Sequence, residues 1–158
     1  MLITARAKDG PADDRGVIGH AVSPDLLRWE VRPPLSKPGS GFGHIECPQV
    51  ASVDDQLVLL FSCLDPQFSA ARRATGATGG IFYVPVDSPT GPFDIAAARQ
   101  LTNDAFYCGR LVNDRSGQPV LLAFRYYDTN RQFLGELSNP MPVDWEDGEL
   151  KVTTAAGA

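Results

Sequence analysis

The chain has 158 residues, the length of one domain. Its 14 Lys and Arg against 19 Asp and Glu leave a net charge of −5, which excludes the basic face that nucleic acid or an anionic membrane requires. A hydrophobic share of 43% is enough for a core, and 15 Gly with 13 Pro favour many short strands over a helical bundle.

Taken in chain order, one pattern recurs three times. A short apolar run is followed by a second run carrying Gly or Tyr, then a turn of Pro, Ser and Asp, then a hydrophobic close. The first copy uses residues 1–5, 16–21 and Ser23-Pro24-Asp25 with Trp29-Glu30. The second uses 57–61, 80–84 and 88–93, and the third 120–124, 133–137 and Ser138-Asn139-Pro140 with Val143-Asp144-Trp145. The apolar run thus returns after 56 and then 63 positions. One further strand-like segment precedes the second and third copies, residues 47–53 and 106–112, each ending in an acidic turn at Asp54-Asp55 or Asp114. Four strands per unit in a meander are the blades of a β-propeller. A β-sandwich with fortuitous spacing is the other all-β reading. The units fall at 1–35 (a partial blade), 45–101 and 105–152, within one incomplete propeller domain over 1–158. The sole helical candidate is 95–99. The Gly, Ala and Thr-rich stretch 69–80, with Arg72-Arg73, reads as a solvated mobile loop.

The first unit begins on its second strand, so the sequence is expected to form the later part of a larger ring. Incomplete rings expose blade faces, and a complementary chain or self-association is expected to cover them. Cys47, Cys63 and Cys108 are odd in number and lack CxxC spacing, which suits free thiols in a reducing compartment. With neither an apolar span nor a charged leader, the expected location is cytoplasmic. No metal or cofactor is expected, the acidic residues being scattered over turns.

Candidate chemistry centres on Gly43-His44-Ile45-Glu46-Cys47-Pro48. Inner strands line a propeller's central channel. Pro48 is tolerated near a strand's start and not in its middle, which places Glu46 at the strand's mouth. A carboxyl there suits general acid–base work. His44, two residues earlier, can hydrogen-bond a ligand or tune the acid, although a loop histidine without a role is the blander reading. Tyr107 and Arg110, on the last inner strand, bring a hydroxyl and a fork of donors suited to the polar groups of a ligand. Their bland readings are a core Tyr and a surface Arg. Arg6, at the end of the first run, is placed to reach the channel. Trp29 and Trp145 occupy matching positions near the outer strands and are expected to pack blades together.

Glu46-Cys47-Pro48 resembles the Glu-Cys-Pro motif of glycoside hydrolase family 32, the invertase, inulinase and levanase group. Residues 15–30, with His20-Ala21, Ser23, Asp25-Leu26 and Trp29-Glu30, are similar to one of that family's blades. Residues 106–112 and 133–140 resemble its last blade, so the likeness spans nearly the whole chain. It implies a five-bladed propeller that cleaves β-fructofuranosides with retention, with Glu46 as acid/base and a fructose-containing oligo- or polysaccharide as partner. The family's Asn-Asp-Pro-Asn nucleophile segment and its Arg-Asp-Pro segment are not found here, and Asp65-Pro66 follows Leu64 and stands in the wrong order. The isolated chain is therefore expected to have little or no hydrolytic activity. Two alternatives remain open: a non-catalytic carbohydrate-binding or structural module, and a relative directed at arabinan or xylan.

Overall fold

A computed structural model describes residues 1–153; the last five positions of the 1–158 span lie outside the described residues. Three antiparallel sheets follow one another along the chain. The first holds β1 (Leu2–Arg6), β2 (Gly16–Val22) and β3 (Glu30–Arg32). The second holds β4 (Glu46–Val53), β5 (Gln56–Cys63), β6 (Gly80–Pro85) and β7 (Arg99–Gln100) in sequential order. The third holds β8 (Phe106–Asn113), β9 (Pro119–Tyr127), β10 (Phe133–Leu137), β11 (Met141–Glu146) and β12 (Glu149–Val152).

Period-two alternation explains how the sheets stack. Along β5, Val58 and Leu60 face one core layer while Leu59, Phe61 and Cys63 face another. Along β6, Ile81 and Tyr83 join the first layer, Phe82 and Val84 the second. The two central strands of the middle sheet, β5 and β6, are therefore buried on both faces and read as apolar runs rather than alternating ones. One layer lies against the third sheet, through Phe106, Leu111, Leu121, Ala123, Met141 and Val143. The other lies towards the first, through Ile18 and the connecting residues Phe42 and Ile45. Three meanders packed face against face are three successive blades of a β-propeller, not the two layers of a sandwich.

Turn chemistry closes the meanders. Asp54 and Asp55 both have positive φ, 49° and 63°, and form the two-residue hairpin between β4 and β5 that twists with its strands. The buried hydroxyls Ser36, Ser62, Thr102 and Ser138 each accept a strand N–H, from Ile18, Cys108, Ile81 and Ala123. Polar groups inside the stack are thereby satisfied.

Several expectations need correction. In the third blade, Ser138-Asn139-Pro140 does not lead to the outer strand. It interrupts the third one: β10 and the start of β11 both pair with β9, on the side away from β8. The outer strand is β12, joined to β11 by Asp147-Gly148, two positive-φ residues in a hairpin turn. Trp145 is accordingly on the third strand and is not equivalent to Trp29. Trp145 does join blades: its ring meets Tyr83 edge-on at 6.2 Å and its Nε1 donates to Val53 O at 3.0 Å. Trp29 is 41% exposed and donates to Leu26 O within its own turn. The helical candidate 95–99 is a single 3-10 turn, Ile95–Ala97.

A short helix, α1 (Ala70–Ala74), forms instead within the stretch read as a loop. Ser69 caps it by accepting the Arg72 N–H. Arg72 then places its guanidinium carbon over the Phe42 ring, 3.8 Å from its centre, and Arg73 pairs with Asp13 at 3.5 Å.

Candidate functional site at the inner strands

The site is built where β4 and β8, the inner strands of the second and third blades, run side by side. The segment leading into β4 is anchored before it reaches the carboxylate. Phe42 and Ile45 are fully buried, and Phe42 meets Phe61, Phe68 and Phe82 edge-on at 5.1–5.6 Å. Gly43 lies so close to its neighbours that a Cβ there would stand 2.7 Å from Ala12 O and 2.8 Å from Asp13 Cα. Arg6 donates to Gly43 O at 3.1 Å and to Ala12 O at 3.0 Å, so it braces this loop.

Glu46 is the first residue of β4, opposite Ser62 on β5. The pairing slips between Glu46 and Gln49, and Cys47 takes a φ of 52°. This bulge accommodates Pro48, which has no N–H to give a ladder. The same event occurs on β8: register slips between Tyr107 and Arg110, and Cys108 takes a φ of 48°. Gly109 completes that bulge, because a Cβ there would meet Ile81 Cδ1 at 2.7 Å and Leu121 Cδ1 at 2.9 Å. Glu46 and Tyr107 are thus equivalent residues of two blades, as are Cys47 and Cys108.

The two strands are stitched together below the bulges. The Gln49 amide bonds both ways with the Leu111 backbone, Nε2 to O at 2.9 Å and N to Oε1 at 3.0 Å. Above them, the Tyr107 hydroxyl donates to Glu46 Oε2, and His44 Nδ1 lies 3.0 Å from Glu46 Oε1. Each carboxylate oxygen therefore has its own partner, which fixes the orientation of the side chain. The carboxylate still reaches solvent, with one third of the Glu46 side chain exposed. Burial, and then the hydrogen bond to Glu46, push the Tyr107 phenol far above its ordinary range, so it stays a neutral donor.

Three of the four expected site residues, Glu46, His44 and Tyr107, are brought together. Arg110 is beside them but engaged elsewhere, donating to Cys47 O at 2.5 Å. Two residues of the cluster escape the sequence reading: Cys47 and Cys108, whose Sγ atoms lie 2.8 Å apart. Their separation of 61 positions falls inside the blade repeat, and that was the available signal. A recess of about 540 Å³ between residues 34–40 and 92–96 includes none of these side chains. Glu46 instead stands on the open inner edge of the blades, where a hub would be. Among the described residues no group of His, Cys, Asp and Glu has the makings of a metal site, and no helix is long and apolar enough to cross a membrane.

Solved structures share this propeller architecture. The chain superposes on a glycoside hydrolase family 32 β-fructofuranosidase from Bombyx mori with a TM-score of 0.69 at 14% identity, covering 99% of this chain and 34% of that one. An inulosucrase from Halalkalicoccus jeotgali, bound to kestose, matches with a TM-score of 0.72 at 18% identity over 96% of this chain and 45% of that one. A sucrose-6-phosphate hydrolase from Lactobacillus gasseri matches with a TM-score of 0.66 at 17% identity over 96% and 33%. The chain thus has a fold like that of the family 32 β-fructofuranosidases and spans a third to less than half the length of these proteins. No family model and no curated protein matches it by sequence.

Proposed function

We propose that these blades carry the acid/base side of a β-fructofuranosidase-type site, with Glu46 as the proton donor and a fructose-containing saccharide as the ligand. The observation that carries this reading is the Glu46 cluster. A carboxyl stands at the mouth of an inner strand, partly exposed, with one oxygen held by Tyr107 from the next blade and the other by His44. An acid held in one orientation and open to solvent on one side can present its proton to a leaving-group oxygen. Tyr107 remains protonated and steadies the carboxylate after the proton has gone. His44 is placed to hydrogen-bond whichever form of Oε1 is present. The fold likeness supports the substrate class: a mutant of the silkworm enzyme was solved with sucrose and the inulosucrase with kestose.

Retention needs a second carboxylate as nucleophile, followed by a covalent glycosyl-enzyme. The segments that the resemblance assigns to the nucleophile and to transition-state stabilisation are not present in these 158 residues. The chain by itself is therefore proposed to hold sugar without cleaving it. Purified chain and its Glu46→Gln variant would be incubated with sucrose, inulin and levan, with kestose binding followed by calorimetry. The expected result is no sugar release above buffer, with kestose binding weakened by Tyr107→Phe. Turnover that disappears in Glu46→Gln would overturn the inactivity, and tighter binding of arabinose than of fructose oligomers would overturn the substrate class.

A further inference from the structure

The acid/base reading leaves two nucleophilic side chains unused in the same cluster. Cys47 and Cys108 occupy the bulge positions of β4 and β8, each with positive φ, and these matching bulges turn their side chains towards one another across the inner edges of two blades. Their sulfurs are 2.8 Å apart, hydrogen-bonding distance for two thiols, and both residues are only half-buried. The bulges are held in register by the Gln49–Leu111 pair below and by Arg110 on Cys47 O. The third cysteine has a different character: Cys63 is fully buried, donates weakly to Leu64 O at 3.6 Å, and is pushed by burial up to about 12.

We propose that Cys47 and Cys108 are a redox-active dithiol that closes to a disulfide between the inner strands of the second and third blades, with a low-molecular-weight disulfide as oxidant. Cys47 is the attacking sulfur. The Cys108 thiol donating to it, helped by the nearby Arg110 charge, brings Cys47 down to about 7, so thiolate is present near neutrality. The Cys47 thiolate attacks one sulfur of the small disulfide. That S–S bond breaks, one small thiolate leaves and is protonated, and a mixed disulfide forms on Cys47. Cys108 then loses its proton to solvent and attacks the Cys47 sulfur, and the second small thiolate leaves and is protonated. Two protein thiols are oxidised by two electrons, and one small disulfide is reduced to two thiols. The new bond joins the residue after Glu46 to the residue after Tyr107, so it locks the two blades at the point where the carboxylate is held. This inference rests on the sulfur geometry and does not depend on the glycosidase reading.

The test treats the whole chain, and separately its Cys63→Ser variant, with oxidised glutathione at pH 8, followed by denaturing alkylation and intact-mass measurement. The expected product is a monomer lighter by about 2 Da, with two fewer alkylated thiols than the reduced protein and a proteolytic fragment linking Cys47 to Cys108. Cys63→Ser should behave alike, and the oxidised form should unfold at a higher urea concentration than the reduced form. Full alkylation after oxidant, a persistent glutathione adduct on Cys47, a link through Cys63, or a disulfide between two chains would each overturn the proposal.

Discussion

At the scale of single residues, the arrangement turns on how differently three thiols are placed. Cys47 and Cys108 meet sulfur to sulfur at 2.8 Å, while Cys63 is sealed in the apolar layer between the first and second blades. A thiolate forms as pH rises through the group's pKa, so alkylation of Cys47 by iodoacetamide should accelerate through about pH 7 and level off above it. Cys63, held up to about 12, should stay unmodified in the folded chain over the same range. Peptide mapping at a series of pH values reads both. Modification of Cys63 before Cys47 would contradict the placement. Part of this was legible in the sequence. The position of Glu46 as the first residue of its strand follows from Pro48 two places on, which cannot serve a ladder. The sulfur pair was not read, because each cysteine looks isolated until the two strands are aligned by their bulges.

At the scale of elements, the close approach of the blades depends on small residues. Gly109 packs its α-carbon against Ile81 and Leu121, and a methyl group there would overlap both. Gly109→Ala should therefore cost about 1–3 kcal/mol in urea unfolding, with the loss expressed as a shift of β8 away from β5 and β6. An unchanged midpoint would show that the interface is looser than described. Element boundaries explain what sequence reading recovers and what it misses. The second strands β5 and β9 carry apolar runs and are joined to the inner strands by Asp-containing turns, so both stand out. The third blade's last strand escapes because Ser138-Asn139-Pro140 has the composition of a chain-reversing turn. It forms only a break, in which Ser138 bonds Ala123 in both directions and the strand continues. Asp147-Gly148, a stronger hairpin signal, marks the true reversal. The helix at 70–74 escapes for another reason: five residues cannot sustain a helix alone, and this one relies on the Ser69 cap and on the Arg72 guanidinium over Phe42.

At the scale of the whole molecule, the central strands of the middle blade are buried on both faces while the neighbouring blades each keep apolar side chains in solvent. Leu26, Leu27 and Val31 are 74%, 85% and 77% exposed on the first blade, and Phe133 and Leu137 are 64% and 69% exposed on the third. Two different apolar patches at opposite ends favour head-to-tail association. Light scattering of the isolated chain should give a mass that rises with concentration above the 17.0 kDa of one chain, and a constant 17.0 kDa would contradict this. The central claim is narrower: Glu46 is held at the hub by a hydroxyl from the neighbouring blade. A double-mutant cycle of Glu46→Gln and Tyr107→Phe, measured by urea unfolding, tests it most directly. A favourable coupling of about 1–2 kcal/mol is expected between these side chains 61 positions apart. Strictly additive losses would show that they do not meet, and the proposed site would have no foundation.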